Sequence, residues 1–85
     1  MWIRIQSRKQ LVNASEFHIV ERYGKFEVHA GVVVLGCYYT EKKALKVMDM
    51  IEDTILKCEA MRTGYAEYDF GAFVFDMPAD KDVEV

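Results

Sequence analysis

Proline and cysteine are scarce in this chain. The single proline, Pro78, lies near the C-terminal end of the 85 residues, so every upstream element must be ended by other means. Cys37 and Cys58 are far apart and form no Cys-x-x-Cys pair. That excludes a disulfide framework, and both are expected as reduced, small, apolar-facing residues. No apolar run reaches bilayer length, so no membrane partner is expected. The first residues, Met1-Trp2-Ile3-Arg4-Ile5-Gln6, lack the basic segment, apolar run and small-residue site of a secretory signal, which leads to the expectation of a cytoplasmic location. The five glycines form neither a P-loop nor a Gly-x-Gly-x-x-Gly pattern, so no nucleotide cofactor is expected.

What the chain does have is apolar content, 52% against 29% charged residues, which fits one small packed domain and excludes general disorder. A net charge of −3 argues against broad binding to nucleic acid or anionic membranes. The charge is unevenly spread. Arg4, Arg8 and Lys9 stand among the first thirteen residues with no acid beside them, whereas Asp76, Asp80, Asp82 and Glu84 dominate the end.

The segment 41–62 has the clearest period. Thr40 can cap free N–H groups, Glu41 suits the positive end of the helix dipole, and Gly64 marks a stop. At about 100° per residue, Ala44, Val47, Met48, Ile51, Ile55 and Cys58 form an apolar stripe opposite Lys42, Lys46, Asp49, Asp53 and Lys57. Leu45 and Leu56 fall on one flank outside it.

Short alternating runs predict strands at 2–6 and 11–14, a hairpin over 17–30 turning at Tyr23-Gly24, a further strand after Ala30-Gly31, and a last strand at 72–77 that Pro78 ends. In the hairpin, Arg22 opposite Lys25 pairs Ile19 with Val28 and His18 with His29. Continuing across the next turn, Val28 is expected to face Val33, and Phe26 to face Leu35. The segment 64–71 reads as a loop. Together these predict an α+β fold with one antiparallel sheet of five or six short strands, packed on one face by a single long helix, in a domain over 1–78 followed by an acidic flexible tail at 79–85.

Candidate chemistry is sparse. His18 and His29 face each other, but no third ligand is identifiable, so no metal site is expected. No carboxylate pair stands in an apolar run, and neither histidine has an evident nucleophile, so no catalytic residue is assigned and the chain is not expected to be an enzyme. Trp2 with Arg4, Arg8 and Lys9 forms a candidate patch for nucleic acid or a nucleotide-like ligand.

The motifs Met1-Trp2-Ile3-Arg4-x-Gln6, Leu35-Gly36-x-Tyr38-x-Thr40-Glu41 running into Ala44-Leu45-x-Val47-Met48-Asp49-x-Ile51, and Phe75-x-Met77-Pro78 resemble a group of small uncharacterised proteins encoded by Gram-positive bacteria and their phages or mobile elements. The resemblance implies a cytoplasmic, phage-related protein that acts by binding a host protein, and it brings no catalytic residue.

The leading expectation is a non-catalytic protein-binding module that forms a homodimer, and the alternative is nucleic-acid or nucleotide-like ligand binding. One helix cannot cover both faces of a sheet, which leaves Val20, Val32 and Val34 as candidate interface residues, with Leu45 and Leu56 as a second surface. The helical phase is directly testable by chemical denaturation. Ile51→Ala costs roughly 2–5 kcal/mol as a buried large-to-small change, and Asp53→Ala stays within about 0.5 kcal/mol. Equal costs would mean that the phase is wrong.

Overall fold

In the computed structural model, which describes residues 1–60 and 74–85, the helix α1 spans Glu41–Ala60. Its start follows from Thr40. The Thr40 hydroxyl accepts the Lys43 N–H at 3.2 Å, and its carbonyl accepts that of Ala44 at 3.2 Å. Ala44, Val47 and Ile51 are buried and Met48, Ile55 and Cys58 half-buried, whereas Lys42, Lys46, Asp49, Asp53 and Lys57 are exposed, as the period predicts. Asp53 and Lys57 pair one turn apart on that wet face at 2.9 Å. The expected end at Arg62 and the loop 64–71 lie outside the described residues.

The strands are β1 (Trp2–Arg4), β2 (Leu11–Asn13), β3 (His18–Arg22), β4 (Lys25–Ala30), β5 (Val33–Tyr38) and, after the helix, β6 (Val74–Asp76). β3 and β4 pair in the expected register, with Arg22 opposite Lys25, Ile19 opposite Val28 and His18 opposite His29. Their turn places Tyr23 at φ 52° and Gly24 at φ 74°. Both central residues of this tight hairpin are therefore left-handed, a conformation that glycine adopts freely and tyrosine only at a cost.

The β4–β5 register differs from expectation. Val28 faces Gly36 rather than Val33, and Phe26 faces Tyr38 rather than Leu35. Two local causes act together. Gly31, at φ 59°, and Val32 form the turn itself, so pairing begins at Ala30 with Val33. A bulge between Val28 and His29 then admits one extra residue on β5. Gly36 is closely approached, since a Cβ there would lie 3.0 Å from the Tyr38 hydroxyl and 3.1 Å from Met77 Cε, so those side-chain ends would have to give way by a few tenths of an ångström.

The strands also form two sheets rather than one, in the orders β2-β1-β6 and β3-β4-β5. The fold remains α+β with a final strand after the helix, but β6 runs parallel to β1, pairing Trp2 with Val74 and Arg4 with Asp76. The inner residues of both sheets, among them Ile3, Phe75, Val28 and Leu35, share one core with α1.

Gln6 joins the two sheets. Its backbone N–H donates to the Leu35 carbonyl at 2.8 Å. Its side-chain Oε1 accepts the Cys37 N–H at 2.9 Å, and Nε2 donates to the carbonyls of Cys37 at 3.2 Å and Pro78 at 3.1 Å. Tyr38 adds a bond from its hydroxyl to the same Pro78 carbonyl at 2.7 Å. Burial, with smaller contributions from Asp80 and Cys37, pushes the Tyr38 phenol well above its ordinary range, so it stays a donor.

The acidic segment 79–85, expected as a flexible tail, is instead held against the fold. Asp80–Asp82 form a short 3-10 turn and Val83 is buried. Asp80 Oδ1 accepts the Tyr39 N–H at 2.9 Å, while Lys43 Nζ donates to Asp80 Oδ2 at 2.9 Å and to its carbonyl at 3.0 Å. The two carboxylate oxygens accept at the same time, which favours the ionised form. Cys37 and Cys58 are unpaired and half-buried. No described helix is long and apolar enough to cross a membrane.

The Tyr39 N–H, then the Lys43 ammonium, hold the Asp80 carboxyl below its usual range. A depressed folded-state value stabilises above the unfolded carboxylate range, near pH 3.9, and that contribution is lost as pH falls through the folded value. Asp80→Asn is therefore less stable than the parent chain at pH 7. The difference shrinks to nothing in strong acid when thermal melts of both are followed across pH, and a difference independent of pH would contradict this.

Candidate functional site

The register of the smaller sheet sorts its side chains unambiguously. Ile3, Val12 and Phe75 point inward, while Trp2 and Arg4 of β1, Leu11 and Asn13 of β2, and Val74 and Asp76 of β6 point outward. The outward face therefore has two rows, Asn13-Trp2-Val74 and Leu11-Arg4-Asp76. Trp2 is 50% exposed and Leu11 48%. A half-exposed tryptophan in the middle strand leaves apolar ring surface in water beside a second exposed apolar side chain, the combination that marks contact surfaces.

Electrostatics fix the orientation of Arg4. Its Nε lies 3.5 Å from Asp76 Oδ1, with the two side chains 38% and 58% exposed, and one terminal nitrogen donates to the Arg8 carbonyl at 3.2 Å. Arg8 adopts φ 68° in the β1–β2 turn, whose Ile5 carbonyl accepts the Arg8 N–H at 2.8 Å. Arg8 and Lys9 are exposed at the end of this face. The candidate patch of Trp2, Arg4, Arg8 and Lys9 thus occupies one continuous region, with Asp76 as an anion inside it. Leu11, Val74 and Asp76 were not assigned from the sequence. The Leu11-Val12-Asn13 alternation carries a signal for Leu11, but the parallel pairing of β6 with β1 has no local signature.

The other candidate interface residues are dispersed. On the outward side of the larger sheet, Val34 stands beside His29 and His18, and half-buried Val20 faces Glu27 and Cys37. Val32 is in the turn and 96% exposed. On α1, exposed Leu45 and Leu56 are separated along the same flank by exposed Asp49 and Glu52. His29, buried in the central strand, has its Nε2 2.9 Å from Glu27 Oε1, and its ring centroid is 5.3 Å from that of His18. Among the described residues no group of three or more His, Cys, Asp or Glu side chains is arranged to hold a metal ion.

A cleft of about 310 Å³ opens between the end of β5 and the 3-10 turn, lined by Gln6, Lys25, Cys37, Tyr38, Tyr39 and Asp80. Its polar lining is largely committed to internal bonds: the Gln6 amide and the Tyr38 hydroxyl join β5 to segments following β1 and β6, the Asp80 carboxylate holds the Tyr39 N–H, and the Lys25 ammonium lies 5.4 Å over the Tyr39 ring. The cleft is a seam between parts of the fold. No protein-family model, curated protein or solved structure matches this chain.

Proposed function

We propose that this protein is a non-catalytic protein-binding module whose contact surface is the outward face of β2-β1-β6. The observation that carries the reading is the half-exposed Trp2 flanked by Arg4 and Leu11. Tryptophan and arginine dominate the energetics of protein interfaces because each combines a large surface with a polar handle, and a sheet presents them on backbone that is already ordered. A host protein is the kind of partner that the motif resemblance implies. Binding without chemistry fits a cleft whose Gln6 amide, Tyr38 hydroxyl and Asp80 carboxylate are committed to internal bonds.

Nucleic-acid binding is the second reading, favoured by Trp2 and Arg4 sharing a face that ends in Arg8 and Lys9. Asp76 weighs against it, because it neutralises Arg4 where a phosphate would sit. A photo-crosslinking residue at Leu11, introduced in cells, separates these readings. The protein-binding reading expects discrete protein adducts that disappear in a Trp2→Ser background and do not form from the same residue at Leu45. Adducts independent of Trp2 would overturn it. Retention on single-stranded DNA that falls steeply with salt and is lost in Arg8→Ala would replace it with the second reading.

A further inference from the structure

We infer that the outward face of β2-β1-β6 takes an acidic segment of another protein that carries an apolar anchor, seated over β1 and β2 with its carboxylates toward the β1–β2 turn. The inference rests on the protein-binding reading and names the chemistry of the partner. Among the described residues, the face and its turn carry Arg4, Arg8 and Lys9 against one acid, Asp76. Asp76 is met by Arg4 at 3.5 Å on the β6 side, whereas Arg8 and Lys9 have no ion-pair partner among the described residues. The excess positive charge therefore gathers at the turn, beside Leu11 and away from β6.

Arg8 is held in that turn at a conformational cost. Its φ of 68° is one that glycine adopts freely, and its N–H and carbonyl are both bonded within the fold, to the Ile5 carbonyl at 2.8 Å and from the Arg4 guanidinium at 3.2 Å, yet its side chain is exposed. The turn backbone is fixed and the charge faces solvent. Trp2 lies about 7 Å further along β1 from the turn than Arg4 does, so exposed ring surface and unpaired cations stand at opposite ends of the β1–β2 half of the face, with Leu11 between them. That separation selects the occupant. A nucleic-acid strand carries a phosphate at every step and is held by cations along its whole track, whereas a second copy of this face would bring the same excess of cations. A segment with an apolar side chain on Trp2 and Leu11 and carboxylates beside Arg8 and Lys9 matches both ends. The chain as a whole carries −3 and repels such a segment elsewhere, which directs it to this face.

Fluorescence anisotropy of short labelled peptides titrated with the full chain tests this. The probe is a peptide of leucines interspersed with glutamates; one control replaces every glutamate by lysine, another every leucine by serine, and an oligothymidylate stands for nucleic acid. The acidic apolar peptide is expected to bind most tightly, with a blue shift in the emission of Trp2, the sole tryptophan, and with an affinity that falls as salt is raised. Leu11→Asp, and Arg8→Glu combined with Lys9→Glu, each weaken it by at least about tenfold, with circular dichroism unchanged. Leu56→Asp leaves it intact. Binding no tighter than that of either control peptide, binding indifferent to the Arg8→Glu and Lys9→Glu pair, or tighter binding of the oligothymidylate overturns the inference. Dimerisation of the chain through Trp2, seen by sedimentation, overturns it in favour of a second copy. If the acidic preference fails while Leu11 still gives Trp2-dependent crosslinks to a protein in cells, the partner's chemistry is wrong and the binding reading stands. If those crosslinks are also absent, both fail.

Discussion

The side-chain amide of Gln6 makes three hydrogen bonds where the two sheets meet. By accepting the Cys37 N–H and donating to the Cys37 carbonyl, it exchanges bonds with that residue much as one strand residue does with its neighbour across an antiparallel pair. Its other proton reaches Pro78, where the Tyr38 hydroxyl also donates. A primary amide is the smallest neutral side-chain group able to do this, since a carboxylate lacks the donors and an amine lacks the acceptor. The bond from the Gln6 backbone to Leu35 lies beside these contacts, so β1, β5 and the segment after β6 meet at one residue.

The position of the outward face follows from that junction. With β1 anchored at its end to β5, its inner residue Ile3 is drawn into the core and its neighbours Trp2 and Arg4 are turned away from it. β6 completes the sheet on the other side, continuing its pairing through the Met77 N–H to the Arg4 carbonyl at 3.0 Å. The Asp80 carboxylate then fastens the following turn to the start of α1 through Tyr39 and Lys43. The tryptophan is thus presented by a frame that is tied down at both ends, which keeps the ordering cost of a contact low.

Much of the local structure was legible in the residues. The phase and cap of α1 follow from Thr40 and the spacing of Ala44, Val47 and Ile51, and the β3–β4 register follows from two alternating runs around Tyr23-Gly24. What was not legible depended on contacts distant in sequence. The turn falls at Gly31-Val32 rather than at Ala30-Gly31, and a bulge leaves no mark in a valine run, so Val28 faces Gly36 and not Val33. Parallel pairing of β1 with β6 brings together segments some seventy residues apart, and with it the neighbours of Trp2 on the candidate face. The acidic C-terminal segment looked unpatterned because one aspartate, one ammonium group and one buried valine hold it, with no periodic stripe.

The most direct test of the Gln6 junction is hydrogen exchange at the Cys37 amide, compared between the parent chain and Gln6→Leu, which keeps the side-chain volume and removes its polar atoms. The account predicts that Cys37 loses its protection first among the β5 amides. Global stability should fall by roughly 2–4 kcal/mol, because several bonded backbone groups lose partners together. Unchanged exchange at Cys37 with unchanged stability would contradict the claim that this amide joins the sheets.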